Sequence, residues 1–308
     1  MKALVTGGAG FIGSNLVKLL IDTGHDVVVL DNYSSGYREN LLPFPRARIV
    51  DGEVRDERAL QRAIDGCEVA FHLAASVGNT RSIEHPIEDS EINVLGTLRV
   101  LEAARQHGLR KVVFSSSAGI FGELKTVPIR EDHPAEPDTP YGASKLGAEK
   151  QCLAYAKLYP LECVCLRYFN VYGVNQRYDA YGNVIPIFAH RALHAQPLVI
   201  YGDGEQTRDF VNVQDVAMAN YRAAQARGVS GAFNIASGTR VTINRLAALL
   251  QEVSGVAVQI EHGAPRKGDV RHSLADIAAA RAAFGFDPGV TLERGLREYM
   301  AWAQGALV

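Results

Sequence analysis

Residues 1–13, MKALVTGGAGFIG, decide the fold, because a short apolar strand runs directly into a glycine-rich turn. Gly8, Gly10 and Gly13 satisfy the pattern G-x-G-x-x-G, and a helix is predicted over residues 12–23. Such glycines permit a tight turn and bring bare backbone close to a diphosphate, at which the helix N-terminus is aimed. The position of the triplet between a strand and a helix predicts a dinucleotide-binding site.

Asp31 ends the next apolar strand, 18 residues after Gly13. Its carboxylate can accept hydrogen bonds from both hydroxyls of an adenosine ribose, and it would repel a 2′-phosphate. Residues 32–35 contain no Arg or Lys that could compensate, and Arg38 is expected beyond the ribose. The sequence therefore predicts NAD as the cofactor, with NADP binding far more weakly.

The first 170 residues alternate short apolar strands with helical segments, and the longest helix is predicted from about residue 88 to 106. Nearly continuous apolar strands between helices are typical of a parallel sheet covered on both faces. The predicted fold class is α/β, with a doubly wound Rossmann sheet and a smaller C-terminal α/β substrate domain. The predicted boundaries are 1–170 for the NAD-binding domain, with a returning segment at about 209–238, and 171–308 for the substrate domain.

Composition excludes several classes of protein. The 308 residues are 47% apolar and 21% charged, which is ordinary for a globular chain and unlike a disordered one. A net charge of −2 gives no bulk attraction to nucleic acid, and no apolar run approaches the roughly 18 residues of a membrane span. The four cysteines form no CxxC motif and the N-terminus has no signal-peptide pattern, so we expect a cytoplasmic protein without nucleic-acid or membrane partners.

A second group of polar residues follows the predicted strand at 111–115. Ser117 lies beyond the end of that strand, and Tyr141 and Lys145 follow 24 and 28 residues later, on one face of a helix. A tyrosine is ordinarily a weak base, with a pKa near 10. A lysine ammonium and a nicotinamide cation would stabilise its phenolate, and Ser117 can hydrogen-bond the same substrate oxygen. These three residues are predicted to form a proton-transfer set beside a hydride acceptor.

The chain resembles the extended short-chain dehydrogenase/reductase family over nearly its whole length, and in particular its nucleotide-sugar epimerase branch. The matching stretches are TGGAGFIG at 6–13, LAAS at 73–76, Asn93, FSSSA at 114–118, PYGASK at 140–145, RYFNVYG at 167–173, and residues 200–217 and 265–277. The resemblance implies that Tyr141 is the catalytic base, Lys145 its activator and Ser117 its hydrogen-bonding partner. It assigns NAD binding to Gly7, Gly10, Phe11, Ile12, Gly13, Asp31, Asn32, Glu53, Val54, Leu73, Ala74, Ala75, Asn93, Ser115, Tyr141, Lys145 and Tyr168. Glu53 is a mild departure, since many relatives carry Asp there.

The same resemblance implies a nucleotide-sugar substrate. It places Arg208 and Arg266 on the diphosphate and Asp269 on the nucleotide ribose. Asn170, Asn183 and Val184 would line the diphosphate and sugar, Val199 and Tyr201 would frame the base, and Ser273 would face the C2 substituent. Relatives with a tyrosine at the position of Ser273 tend to be restricted to unsubstituted hexoses, so Ser273 implies room for an N-acetyl group. Arg81 and Arg177 stay open between surface positions and contacts to a uronate carboxylate.

The predicted reaction is 4-epimerisation of a UDP-sugar through a 4-keto intermediate, with NAD regenerated at each turnover and tightly held. The substrates would be the UDP-glucose/UDP-galactose pair, the N-acetylated pair, or both. A 4,6-dehydratase is disfavoured, because Ala118 and Gly119 stand where that branch has an Asp-Glu pair. A UDP-glucuronate 4-epimerase, a decarboxylase and a non-catalytic NAD-binding regulator remain as alternatives. The family also implies a homodimer that packs through helices at about 89–107 and 143–158.

The remaining histidines and cysteines are predicted to be structural. His190 and His194 lie four residues apart on a predicted helix without a third ligand, so no metal site is predicted. His72 is expected to be buried and hydrogen-bonded, and Cys163 and Cys165 to lie in the core.

Overall fold

The computed structural model describes residues 1–179, 182–265 and 270–306. Its strands are β1 Lys2–Thr6, β2 Asp26–Asp31, β3 Arg48–Asp51, β4 Val69–His72, β5 Lys111–Ser117, β6 Glu162–Tyr168, β7 Asn170–Tyr172, β8 Leu198–Tyr201, β9 Thr207–Arg208, β10 Phe210–Asn212, β11 Gly231–Ile235, β12 Val241–Thr242 and β13 Ile260–Gly263. Seven of these strands form one sheet in the order β11-β6-β5-β4-β1-β2-β3. Every pairing in that sheet is parallel.

The helices are α1 Phe11–Asp22, α2 Glu57–Ile64, α3 Asn79–Glu84, α4 Pro86–Ser90, α5 Gly96–Gln106, α6 Pro140–Leu158, α7 Val184–Leu193, α8 Val213–Gln225, α9 Ile243–Ser254, α10 Ala278–Phe284 and α11 Leu292–Ala306. The helix predicted over 88–106 is interrupted, because a π-helical turn at Glu91–Leu95 separates α4 from α5. No helix among the described residues is both long and apolar enough to cross a bilayer.

The sheet is buried on both faces because successive side chains of each strand point to opposite sides. Val5 and Phe71 belong to the core cluster that contains apolar residues of α1 and α8. Leu4 and Ala70, their neighbours in sequence, belong to the cluster that contains residues of α2, α5 and α6. This arrangement has three layers and confirms the predicted doubly wound α/β fold.

The order in which strands are added to the sheet changes direction between β1 and β4: β2 and β3 follow on the side of β1, and β5 and β6 on the side of β4. Strands β1 and β4 lie side by side, with Thr6 opposite His72. At such a switch point the loops after the two strands separate and leave a crevice at their carboxyl ends, where α/β proteins bind ligands. The glycine turn after β1 and the LAAS segment after β4 therefore face each other across this crevice.

The rest of the chain surrounds a third core cluster, built from α7, α9, α11 and the small sheets that precede them. Strand β8 pairs with β13, β7 with β10, and β9 with β12, each as a two-stranded sheet. Strand β11 returns to the main sheet beside β6. The domain boundaries at 170 and 171 stay a prediction.

Candidate active site

A cavity of about 1210 Å³ opens at the carboxyl ends of the central strands. The glycine turn, the ends of β2, β4, β5 and β6, and the first turn of α6 all contribute to its wall. Segments from the second half of the chain, which include Asn170, Asn183 and Arg208, close the opposite side. One cavity is therefore lined by residues from all three predicted groups, those for the cofactor, for the chemistry and for the substrate.

The glycine turn at the start of α1 is too crowded for side chains. A Cβ atom at Gly7 would lie 2.7 Å from the backbone nitrogen of Ala74, and one at Gly13 would lie 2.1 Å from the carbonyl oxygen of Gly7. Among the described residues no side chain caps α1, and its first turn has no acidic residue. Its free backbone N–H groups are thus available to an anion in the cavity, which fits the diphosphate of a dinucleotide.

Asp31 is buried at the end of β2, with only 7% of its surface exposed. Its two carboxylate oxygens each accept one backbone hydrogen bond at 2.8 Å, from Ala9 N and from Tyr33 N. Burial raises the pKa of Asp31, and these two hydrogen bonds oppose that shift. Each oxygen retains a lone pair for a ribose hydroxyl.

The arginines that follow β2 and β3, Arg38 and Arg55, are already paired with carboxylates. Arg38 pairs with Asp51, and its guanidinium lies 3.9 Å from the centre of the Tyr33 ring. Arg55 lines the cavity, but Glu53 and Glu91 hold it at 3.0 and 2.9 Å. The charges around the ribose position fit NAD.

Ser117, Tyr141 and Lys145 come together at the junction of β5 and α6. The hydroxyl of Tyr141 is hydrogen-bonded to Ser117, whose Oγ also accepts a hydrogen bond from Gly119 N at 3.1 Å. Lys145, one helical turn after Tyr141, donates from Nζ to Ser115 Oγ at 3.5 Å. Three groups able to carry or stabilise a proton thus share one face of the cavity.

Two groups of this set have shifted pKa values. Burial raises the pKa of Tyr141 above its ordinary value, and the hydrogen bond from Ser117 offsets part of that shift. Burial also lowers the pKa of Lys145, to about 8, so its amine is mostly protonated at pH 7. The contribution of a nicotinamide cation stays a prediction.

Buried polar contacts fix the elements that carry these groups. Ser116 Oγ donates to Glu149 Oε2 at 2.7 Å, and Arg167 binds the same carboxylate at 2.8 and 3.0 Å. This cluster joins β5, α6 and β6 beneath the cavity. Because a buried charge is tolerated only when it is paired and hydrogen-bonded, the three elements have little freedom to shift relative to one another.

Most of the predicted cofactor residues line the cavity: Gly7, Gly10, Phe11, Ile12, Gly13, Asp31, Asn32, Glu53, Val54, Leu73, Ala74, Ala75, Ser115, Tyr141, Lys145 and Tyr168. Asn93 lies elsewhere. It is buried, and its amide accepts from Ser76 N at 2.9 Å and donates to Ser76 O at 3.0 Å. The structure therefore gives Asn93 a supporting position behind the LAAS segment.

The predicted substrate residues divide into three groups. Asn170, Asn183, Arg208, Ser117 and Ser273 line the cavity. Val184, Val199 and Tyr201 do not; Val184 packs against the third core cluster, while Val199 and Tyr201 face Gly263 on β13. Arg266 and Asp269 lie outside the described residues.

Asp209 organises the substrate side, a role that no sequence motif suggested. It is fully buried, and its carboxylate accepts hydrogen bonds from Ser237 N at 2.7 Å, Gly238 N at 3.1 Å and Ala275 N at 3.2 Å. Its backbone oxygen accepts from Asn170 Nδ2 at 3.0 Å. Asp209 thus fixes the strand beside Arg208 against three distant segments.

His72 has the structural role expected for it. It is completely buried, with ring nitrogens 2.8 Å from Thr6 Oγ1 and 3.0 Å from Thr97 Oγ1. Burial lowers the pKa of His72 to about 3, so the ring is neutral. Cys163 and Cys165 are likewise buried core residues with free thiols.

Comparison with known proteins gives consistent results. The family model described as "NAD dependent epimerase/dehydratase family" matches residues 3–236. The UDP-glucose 4-epimerase of Mycolicibacterium smegmatis is 39% identical over 96% of both chains. The crystal structure of UDP-glucose 4-epimerase with UDP-glucose from Thermotoga maritima superposes with a TM-score of 0.94 at 38% identity, over 100% of both chains. The UDP-N-acetylglucosamine 4-epimerase of Methanobrevibacter ruminantium, in complex with UDP-N-acetylmuramic acid, gives 0.95 at 36% identity, over 99% of this chain and 98% of that one.

Proposed function

This chain belongs to the NAD-dependent epimerase/dehydratase family, and from that premise we propose that it is a UDP-sugar 4-epimerase with tightly bound NAD. Its substrates are the UDP-glucose/UDP-galactose pair, the corresponding N-acetylated pair, or both. The proposal rests on one observation: Ser117, Tyr141 and Lys145 line the same cavity as the glycine turn. The relatives' activity on UDP-glucose and UDP-N-acetylglucosamine supports this substrate class.

In this mechanism Tyr141 accepts the proton of the sugar 4-hydroxyl and later returns it. Ser117 holds the Tyr141 hydroxyl and the substrate oxygen in one hydrogen-bonded group. Lys145, which is mostly protonated at neutral pH with a pKa of about 8, stabilises the developing phenolate. NAD, when bound, supplies the acceptor and donor of the C4 hydride.

The turn after Ser117 supports epimerisation over dehydration. Residues Ala118–Ile120 form a tight 3₁₀ turn, and Gly119 packs beside the Tyr141 ring. Elimination of water across C5 and C6 would need an acid/base pair beside the sugar, and no carboxylate occupies this turn.

On the substrate side, Arg208 and Arg266 bind the diphosphate, and Asp269 binds the nucleotide ribose. Asn170 and Asn183 contact the sugar end from the cavity wall. Arg208 already donates to Val270 O at 2.6 Å, which fixes its guanidinium in the cavity wall. Charge-assisted hydrogen bonds from two guanidinium groups suit a diphosphate.

The deciding experiment incubates the purified protein with UDP-glucose, UDP-N-acetylglucosamine and UDP-glucuronate and identifies the products by NMR. We expect the C4 epimer of at least one of the first two sugars, without net reduction of added NAD. Turnover of UDP-glucuronate alone would favour the uronate 4-epimerase, and a pentose product with release of CO₂ would favour a decarboxylase. A protein that binds NAD and turns over none of the three would be the regulator.

Tyr141→Phe is the matched variant for this experiment. Because it removes only the hydroxyl that carries the proton, we expect a folded protein that retains NAD and is slowed by at least about 100-fold. NAD content after denaturation and the circular dichroism spectrum check the fold and the loading. Turnover close to that of the wild type would contradict the assignment of Tyr141 as the base.

We also propose a homodimer located in the cytoplasm. The helices predicted to pair, at about 89–107 and 143–158, lie side by side in α5 and α6, with α4 next to them. Exposed apolar side chains lie at both ends of this helix pair, Ile87 and Leu95 at one end and Leu158 at the other. An apolar surface of this kind is typical of a protein interface.

A further inference from the structure

The segment that leaves β7 crosses to the glycine turn on the other side of the cavity. The side-chain amide of Asn15, on α1, donates to Val174 O at 2.9 Å. The amide of Asn175 donates to Ser14 Oγ, also at 2.9 Å. Residues 174 and 175 are therefore fixed to the first turns of the helix whose N-terminus faces the diphosphate position.

The next residue is fixed from the opposite side. Gln176 is buried, its backbone oxygen accepts from the hydroxyl of Tyr299 at 2.8 Å, and its amide donates to Val171 O at 3.2 Å. Tyr299 belongs to α11 in the third core cluster. The backbone just before Arg177 is thus held between α1 and α11, so little conformational entropy remains to be lost when Arg177 binds a ligand.

The guanidinium of Arg177 lies over the glycine turn. Its Cζ is 3.8 Å from the centre of the Tyr37 ring, and Tyr37 N donates to Ala9 O at 3.0 Å. The backbone next to Tyr37 packs closely on the glycine turn, since a Cβ at Gly36 would lie 2.9 Å from Ala9. Arg177, Tyr37 and Gly10 line the same cavity.

Arg177 also has an unused donor. Its Nε is buried and has no hydrogen-bond partner among the described residues. A guanidinium cannot lose its proton and a buried donor without an acceptor is costly, so a small shift of the side chain that brings Nε to an anion in the cavity would be favourable. Arg38 and Arg55, which follow β2 and β3, already have carboxylate partners.

We propose that Arg177 binds the diphosphate of NAD, together with the backbone N–H groups at the start of α1, and thereby closes the second half of the chain over the cofactor. This inference rests on the proposed function only in taking NAD as the ligand. The contacts of Arg177 and of the two residues before it favour a phosphate over a sugar carboxylate. Arg177 and Asn175 contact Tyr37 and Ser14 on the glycine-turn side, whereas the sugar oxygen is bound at Ser117 and Tyr141.

The test measures how fast NAD leaves the protein as purified, and the affinity with which NAD and ADP-ribose bind again. ADP-ribose keeps the diphosphate and lacks nicotinamide. For Arg177→Gln we expect both ligands to bind roughly 10- to 100-fold more weakly, as for loss of a charge-assisted hydrogen bond. For Arg177→Lys we expect an intermediate loss, because the charge remains while the planar contact with Tyr37 is lost.

Arg294→Gln is the matched control, since Arg294 is exposed on α11 and its guanidinium pairs with Glu298, far from the glycine turn in sequence. It should bind both ligands like the wild type. Unchanged binding of NAD and ADP-ribose in folded Arg177→Gln, with weakened binding of UDP-glucuronate, would assign Arg177 to a sugar carboxylate and overturn the inference. If Arg177→Gln does not fold, wild-type affinity in Arg177→Lys overturns it equally. A wild-type protein that binds no NAD would instead refute the proposed function.

Discussion

At the scale of single residues, Lys145 illustrates how a functional group lowers stability. It is 3% exposed, and burial lowers its pKa from the ordinary 10.5 to about 8. The unfolded chain binds this proton more tightly than the folded protein, so stability rises with pH between about 8 and 10.5, and the full penalty applies below 8. A pKa shift of this size corresponds to about 3 kcal/mol in the free energy of unfolding.

We therefore expect Lys145→Met to be inactive and yet more stable than the wild type at pH 7 when NAD has been removed from both. The gain should shrink as the pH is raised from 8 toward 10.5, where wild-type Lys145 is neutral in both states. Urea unfolding at pH 7 and pH 9.5 measures the two differences. A loss of stability that is equal at both pH values would contradict the prediction.

Ser273 is the residue at which we expect the choice of sugar to be made. It is buried to 7% exposure in the cavity wall, and its backbone nitrogen donates to Thr207 O at 3.1 Å. Because the backbone cannot move away, a tyrosine ring at this position would fill space that an acetamido group needs. Ser273→Tyr should depress activity on UDP-N-acetylglucosamine roughly 10- to 100-fold more than activity on UDP-glucose.

The measurement compares kcat/KM for the two sugars in the wild type, in Ser273→Tyr and in the small control Ser273→Ala. The control should keep the wild-type ratio. An equal loss on both sugars in Ser273→Tyr, or a wild type that rejects every N-acetylated sugar, would show that Ser273 does not set the size limit.

Residues whose role follows from a local pattern were predictable, and residues that act through distant contacts were not. Gly7, Asp31 and Tyr141 lie in the cavity as their motifs indicated. Asn93 and Asp209 act on segments far away in sequence, and only the folded chain brings Ser76, Ser237 and Ala275 to them.

At the scale of elements, the start of α6 determines the distance between Tyr141 and Ser117. A Cβ at Gly142 would lie 2.4 Å from Gly119 O and 2.8 Å from Pro137 Cβ. Gly142→Ala should therefore push the helix away from the Ser117 turn, lowering kcat at least about 10-fold and destabilising the fold by about 1–3 kcal/mol. Kinetics and urea unfolding measure both effects.

Gly147→Ala, on the same helix, is the matched control. Its Cβ would lie 3.7 Å from Val94 Cγ2, which is an ordinary contact. Alanine is the better helix former, so this variant should gain up to about 1 kcal/mol and keep its activity. Equal behaviour of the two variants would refute the importance of the close approach at Gly142.

The bounds of strands and helices were predictable from the sequence where burial alone determines them. Strand β2 ends at Asp31 as predicted, and the strand predicted at 111–115 is found at Lys111–Ser117, because strands covered on both faces are continuously apolar. The π turn at Glu91–Leu95 had no such signal. It coincides with tertiary contacts: Asn93 Nδ2 donates to Ser76 O and to Ser144 Oγ, each at 3.0 Å, and a Cβ at Gly96 would lie 2.7 Å from Val54 Cγ2.

At the scale of the whole molecule, two halves with separate cores share one cavity. The first two core clusters cover the faces of the main sheet, and the third lies in the second half of the chain. Asn15 and Asn175 connect the halves through hydrogen bonds beside the cavity. The segment after β7 is therefore tied directly to the helix whose N-terminus faces the diphosphate position.

Exposed apolar side chains at the ends of α4–α6 predict that two chains associate. Ile87, Leu95 and Leu158 are 76%, 52% and 71% exposed, and they lie around the helices that the family resemblance assigns to a dimer interface. Light scattering should give twice the chain mass of 33.4 kDa. Leu95→Glu places a charge in that apolar surface and should yield a monomer that still binds NAD, because Leu95 does not line the cavity. Leu42→Glu, at a side chain 75% exposed and remote from these helices, should remain dimeric. A wild type of monomer mass, or a dimer unaffected by Leu95→Glu, would place the apolar surface outside any interface.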